Sequence, residues 1–339
     1  MGGGLATTAL VAALRRAGDT RSITVLCAEP RPPYDRPPLS KEFFTAPAPE
    51  DLTTQFQVAD AATWRLGEPA LALHSDDDGA HTVVTASGGC TAPDVVVATG
   101  AAPVQLPWTR ALGTWEQLEF LREALAPPAS LGIIGGGWIG LEVAGQAAAH
   151  GVPVTVWDAH ATPLEAAVPG VVGRRILTWL EGAGVTWRGG SAITDPGAVE
   201  ADVVLAAVGA RPATTWLPDE LLDAHGNVWV DAAGRTSRPG LWATGDCAGT
   251  RHWNAALAAA ERTAAALTGA PVPPPPVPHV FSTMFGHDLQ LLGTSGPEVG
   301  FVELPGGAWA AEFRTGGRLT GALVVDAPRE LRRYRTQLR

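Results

Sequence analysis

Apolar residues dominate the stretch from Leu5 to Leu14, which is closed by Arg15, Arg16 and Gly18. This predicts a glycine turn and then a helix from about Leu5 to Arg16. A short apolar run predicts a strand at Ser22–Leu26, with the acid Glu29 just beyond it. The proline-rich PRPPYDRPPLSK that follows is expected to be irregular, because proline lacks the N–H that regular structure needs. From Trp64 to Val97, apolar and polar positions alternate around turn signals such as Asp78–Gly79 and Ser87–Gly89, the pattern of a β-meander.

A second pattern begins at Leu131 with LGIIGGGWIGLEVAGQAAAHGVPVTVWDA. It reads strand, glycine turn, helix, strand, acid. A helix at about Val171–Gly182 and strands near Val185–Trp187 and Val203–Ala207 extend it. VVVATGAAP (95–103) and LWATGDC (241–247) are strands ending in tight glycine turns, and an Ala-rich helix runs to Leu267. PVPPPPVP (271–278) predicts a stiff linker. Beyond it, Leu289–Val325 holds three or four strand-like runs, and RELRRYRTQLR is expected to be helical. The fold class is therefore α/β: two Rossmann-like three-layer domains plus a small C-terminal α+β domain.

Composition narrows the setting. The chain has 339 residues, 46% hydrophobic and 17% charged, with net charge −10. This excludes wholesale disorder and suits two or three domains. An acidic balance argues against a nucleic-acid partner, and no apolar run is long enough to span a membrane. Three cysteines exclude a disulfide framework and suit a reducing, cytoplasmic compartment. The opening MGGGLATTAL lacks the basic leader of a secretory signal, so it is read as turn and helix. One of the 24 basic residues is lysine, Lys41, and 23 are arginine. Such a bias suggests a GC-rich genome.

Gly135, Gly137 and Gly140 form G-x-G-x-x-G between a strand and a helix. The first glycine permits the turn, the second lets backbone approach a pyrophosphate, and the third lets helix and strand pack closely. Asp158 lies 23 residues after Gly135, placed to accept from both ribose hydroxyls. It would repel a 2′-phosphate, and no Lys or Arg falls between Ala159 and Gly173. NADH is favoured over NADPH. The start of the chain carries a poorer copy in Gly2, Gly4 and Glu29, with Thr7 for the third glycine and no strand before Gly2. Without that strand its neighbours are expected to be unpaired and the turn unanchored. A displaced start, with an internal GTG codon read as Met1, explains this if the fold is intact. The alternative is a damaged fold. Asp246, at the end of LWATGDC, is placed to accept from a polyol hydroxyl.

Together, PPYDRPPLSK (32–41), GGGWIGLEVA (135–144), VVVATG, VGARP (208–212), RTSRPGLWATGDCA (235–248) and PRELRRYR (328–335) span the chain. The sequence resembles the FAD-dependent pyridine nucleotide-disulfide oxidoreductases, in the branch of NADH-dependent ferredoxin and rubredoxin reductases that feed oxygenases. The resemblance implies an FAD domain of 1–105 and 232–270, an inserted NAD domain of 106–231, and a C-terminal interface domain of 271–339. It assigns Gly2 and Gly4 to the FAD pyrophosphate, Glu29 to the adenosine ribose and Asp246 to the ribityl chain. Arg36 and the strand-end Ala98, Thr99 and Gly100 fall on FAD-binding positions. Lys41 falls near the flavin ring, and Glu142 falls near the nicotinamide, where it could pair with Lys41. Trp138 stands where an aromatic can cover the flavin, Ile139 lies beside it in the NAD turn, and Gly209 would line the NADH cleft. The chain departs from the branch at Thr7, at Ala102 where an arginine is usual, and at FSTMFGHD (281–288).

Lys41 stands out without the resemblance, since a compact ammonium serves beside a flavin nitrogen as a planar guanidinium does not. Cys27, Cys90 and Cys247 have no redox-pair spacing. Electrons are therefore expected to enter the flavin as a hydride from the nicotinamide to N5 and to leave it directly, in two single-electron steps to an iron–sulfur protein. Arg329, Arg332, Arg333, Arg335 and Arg339 against Glu330 give the tail a local +4 that suits an acidic ferredoxin, or only a solvated helix face. The alternatives are a flavin NADH oxidase or small-molecule reductase, and a non-catalytic paralogue without FAD. No metal site is expected.

Overall fold

The computed structural model describes residues 1–76 and 79–338. Asp78 of the expected turn and Arg339 of the basic tail lie outside the described residues. The chain divides into two compact units. One comprises Met1–Asp35, Glu50–Ala102 and Arg211–Pro276, and the other Arg36–Pro49, Pro103–Ala210 and Val277–Arg339.

In the first unit the helix Leu5–Arg16 forms as the apolar pattern predicts. Its Ala9, Leu10, Ala13 and Leu14 pack against Ala260 and Ala264 of the helix Trp253–Leu267, and the small side chains let the two backbones approach. The strand Thr24–Leu26 pairs in parallel with Thr63–Arg65, and Val95–Val97 pairs in parallel with Leu241–Ala243. These two pairs are separate sheets, bridged by Met1 and Gly2. The Met1 amine donates to the Val96 carbonyl (2.6 Å), Ala98 N–H to the Met1 carbonyl (2.7 Å) and Gly2 N–H to the Leu26 carbonyl (2.9 Å). The glycine turn is thus anchored, contrary to expectation, because Met1 offers the backbone groups one neighbour needs and Gly2 the N–H for the other. Ala72–Ser75, His81–Thr85 and Gly88–Ala92 form the expected antiparallel meander.

In the second unit a four-stranded parallel sheet has the order Thr186–Gly189, Val154–Asp158, Leu131–Ile134, Val203–Ala206. All four residues of Leu131–Ile134 are buried, which is why this strand reads as continuous apolar text rather than alternation. The helices Trp138–Ala149 and Gly170–Gly182 bury Leu141, Val143, Val172, Ile176 and Leu180. The tail is a five-stranded antiparallel sheet covered by the helix Leu331–Gln337, whose Tyr334 packs on Leu292, Ala310, Ala322 and Val324.

Three elements differ from the sequence reading. The proline-rich segment contains a helical turn, Pro38–Lys41, because proline is tolerated in a first turn where N–H groups lack partners anyway. The tail sheet starts earlier than Leu289. His279–Met284 and His287–Gly293 form a hairpin whose turn places Phe285 (φ +51°) and Gly286 (φ +78°) in the left-handed region. The helix Trp115–Ala124 was not anticipated, although Thr114 and Gln117 form a capping box that marks its start. No helix among the described residues is long and apolar enough to cross a membrane.

Candidate active site

The two glycine turns have the same construction. In the second unit Gly135 follows the strand Leu131–Ile134 with φ +107°, and a Cβ there would lie 2.4 Å from the Ala207 carbonyl oxygen. Ala207 is the first residue after the strand Val203–Ala206. In the first unit Gly2 has φ +104°, and a Cβ would lie 2.1 Å from the oxygen of Ala98, the first residue after Val95–Val97. At the second glycine of each turn, Gly137 and Gly4, a Cβ would meet nothing within 4 Å. Each of these glycines is the N-cap of its helix and supplies no side-chain cap, so first-turn N–H groups are left for another acceptor.

The third position separates the copies. A Cβ on Gly140 would lie 2.1 Å from the Gly135 carbonyl oxygen. In the first unit Thr7 occupies that place and donates its hydroxyl to the Gly2 carbonyl at 2.5 Å. The residue that breaks the fingerprint therefore fastens the turn.

Around the second turn, Asp158 ends its strand as expected. Its carboxylate accepts from Gly136 N–H (2.5 Å) and His160 N–H (2.6 Å), and His160 Nδ1 lies 2.8 Å away. The Trp187 ring covers Gly136, a contact with no anticipation in the sequence reading. Trp138 is half-buried, Ile139 is exposed, and Gly209 adopts φ +107°. Around the first turn, Glu29 accepts from the Tyr34 hydroxyl (2.7 Å), and the Thr99 hydroxyl donates to the Ala213 carbonyl (2.7 Å). Gly100 takes φ +68°. A Cβ on Gly245 would lie 2.9 Å from Ala6 Cβ, which sets the half-exposed Asp246 beside the first helix. The buried Thr244 hydroxyl has no protein partner there.

Lys41 and Glu142 meet within the second unit, Nζ to Oε1 at 3.0 Å. Lys41 ends the proline-led turn, and Glu142 lies on the second turn of the helix Trp138–Ala149. Lys41 Nζ also donates to the Phe281 carbonyl (3.2 Å) and sits 4.9 Å from the centre of the Phe281 ring. Glu142 is 5% exposed and accepts from two buried hydroxyls, Ser282 on Oε1 and Ser40 on Oε2, each at 2.5 Å. The sequence reading missed both serines, although one adjoins Lys41 in PPLSK and the other lies in FSTMFGHD. Arg36, in the same unit, donates to the Gly113 carbonyl.

Cys27, Cys90 and Cys247 are free thiols. Burial pushes Cys27 up to about 11 and also raises Cys247, so both stay protonated and are poor nucleophiles. Among the described residues no group of three or more His, Cys, Asp or Glu side chains is arranged to hold a metal.

These features fit two dinucleotides: open second glycines, uncapped helix starts, an acid at a strand end, and an orphaned hydroxyl beside Asp246. The family model for pyridine nucleotide-disulphide oxidoreductases matches residues 1–261. The ferredoxin–NAD(+) reductase subunit of the benzene 1,2-dioxygenase system of Pseudomonas putida is 30% identical over 372 residues, covering 97% of this chain and 89% of that protein. The crystal structure of Fdr9 is 34% identical with a TM-score of 0.87, covering 100% of this chain and 93% of that one. The covalent putidaredoxin reductase–putidaredoxin complex, 24% identical with a TM-score of 0.85, covers 99% of this chain and 91% of its own and shares the fold.

Proposed function

Because this chain belongs to the pyridine nucleotide-disulphide oxidoreductase family, we propose that it is an FAD-dependent NADH:ferredoxin reductase. It passes electrons from NADH to a small iron–sulfur protein, which in turn serves an oxygenase. The observation that carries this reading is the repeated turn, in which the first glycine is pressed on a strand-end carbonyl and the second left open, once in each unit.

In this reading residues 1–105 and 232–270 hold FAD. Gly2, Gly4 and the first turn of the helix Leu5–Arg16 bind its pyrophosphate, with Glu29 on the adenosine ribose and Asp246 on the ribityl chain. Ala98, Thr99, Gly100 and Arg36 complete that site. Residues 106–231 hold NADH, through Gly135, Gly137, Ile139 and Gly140 at the phosphates, Asp158 at the ribose and Gly209 in the cleft. Trp138 covers the flavin face. Bound flavin supplies the conversion between a two-electron donor and a one-electron acceptor. The chain contributes orientation and exclusion of water, and Lys41, held by Glu142, presents a fixed positive charge. With all three thiols free and two of them buried, no cysteine pair among the described residues offers a disulfide as a second redox centre. Such thiols also suit a cytoplasmic setting.

The partner docks on residues 271–339. Arg329 and Arg332 are exposed, whereas Arg333 is shared with Glu330 and Glu312, and Arg335 reaches His279. Glu312 therefore offsets part of the expected +4, while a hydrogen bond to His279 cancels no charge, so Arg329, Arg332 and Arg335 carry most of the steering. The test is anaerobic reduction of a [2Fe–2S] ferredoxin by NADH, against oxygen as the only acceptor. Faster turnover with ferredoxin supports the reading, and turnover with oxygen alone replaces it with an NADH oxidase.

A further inference from the structure

Resting on the reading of Lys41 and Glu142 as the pair beside the flavin, we propose that Ser40 and Ser282 are positioning residues. They form a two-hydroxyl clamp that orients the Glu142 carboxylate and, through it, the Lys41 ammonium. Three elements converge here: the turn Pro38–Lys41, the helix Trp138–Ala149 and the strand His279–Met284. A buried carboxylate needs donors, and a serine hydroxyl has only one proton to give. Ser282, 1% exposed, gives its proton to Oε1 and Ser40, 6% exposed, to Oε2. The carboxylate is thus held at both oxygens and cannot rotate without breaking a bond.

The clamp is also tied to Lys41 through the chain. Ser40 precedes Lys41 in the same helical turn, and Ser282 follows Phe281, whose carbonyl accepts the second Lys41 hydrogen bond. A shift of either serine therefore moves an acceptor of the ammonium. Glu142 and Phe281 take two of the three ammonium protons, which fixes the direction of the side chain's charged end.

Lys41 is the chain's one lysine, so ¹⁵N-lysine labelling of the full-length holoenzyme yields a single Nζ signal. In the wild type that signal is expected to show slow hydrogen exchange with water. Ser282→Ala raises the exchange rate about tenfold, in line with loss of a hydrogen bond to a charged group. Ser282→Cys preserves volume but offers only a weak donor. It produces a similar rise, and Ser40→Ala does the same from the other oxygen. Flavin reduction by NADH slows about tenfold in all three, with NADH affinity unchanged. Unchanged exchange in these variants overturns the clamp, as does a Ser282→Cys that matches wild type while Ser282→Ala does not, since packing alone would then explain Ser282. If the alanine variants do not fold, the cysteine variant decides by itself. A protein that binds no flavin refutes the pair's catalytic setting but leaves the Nζ comparison intact, so the two failures are distinguishable.

Discussion

Replacing Lys41 by methionine keeps the length of the side chain and removes its charge, leaving the Glu142 carboxylate, 5% exposed, without its counter-ion. Removing one partner of a fully buried pair costs about 3–5 kcal/mol. Here the cost is lower, because the Lys41 side chain is 19% exposed and the two serine hydroxyls remain on the carboxylate. We expect about 2–3 kcal/mol, or roughly 5–10 °C in Tm for a unit of this size. Pairing the change with Glu142→Gln removes the stranded charge, so the double variant is expected to be more stable than Lys41→Met alone. The coupling between the two sites is then about 2 kcal/mol. Scanning calorimetry of the wild type, both single variants and the double variant measures it. A Lys41→Met loss below about 0.5 kcal/mol, or additive effects in the double variant, would instead mark Lys41 and Glu142 as a solvated surface pair.

Three further outcomes are expected. Gly140→Ala sets a Cβ 2.1 Å from the Gly135 carbonyl oxygen, a backbone atom that cannot swing aside, so NADH binding weakens at least about tenfold while flavin content is unchanged. Fluorescence titration and the visible spectrum report the two effects separately. Burial holds the Cys27 thiol up at about 11, so its alkylation is slow at pH 8 and accelerates only as pH approaches that value. An unfolded thiol ionises near 9, so this group's stabilising contribution is complete below pH 9 and is lost as pH rises towards 11. Arg332→Glu with Arg329→Glu raises the KM for ferredoxin at low salt, and the difference from wild type shrinks as ionic strength rises. A defect independent of salt would remove those arginines from docking.

Much of this architecture is legible in the amino-acid order, for reasons that differ by element. The helix Leu5–Arg16 and the strand Leu131–Ile134 are readable because burial imposes long apolar runs on both. The glycine turns are readable because Gly2 and Gly135 face carbonyls that leave no room for a side chain. The hairpin at Phe285 stayed hidden because a non-glycine residue takes a left-handed conformation there. Thr7 looks like a defect in sequence and acts as a fastener in space, through a hydroxyl bond that a spacing rule does not describe. The pairing of Lys41 with Glu142 was foreseeable from the family resemblance. Ser40 and Ser282 were not, because nothing in composition or periodicity marks a serine whose proton goes to a residue more than a hundred positions away.

Binding of two nucleotides to two separate glycine turns is visible in one anaerobic titration. The purified chain, supplied with FAD and freed of excess, is predicted to absorb near about 450 nm with one flavin bound per chain. One equivalent of NADH is predicted to bleach that band, and oxidised ferredoxin to restore it. A chain that stays colourless after FAD is supplied, or whose flavin band does not respond to NADH, would not be a flavin reductase with two nucleotide sites.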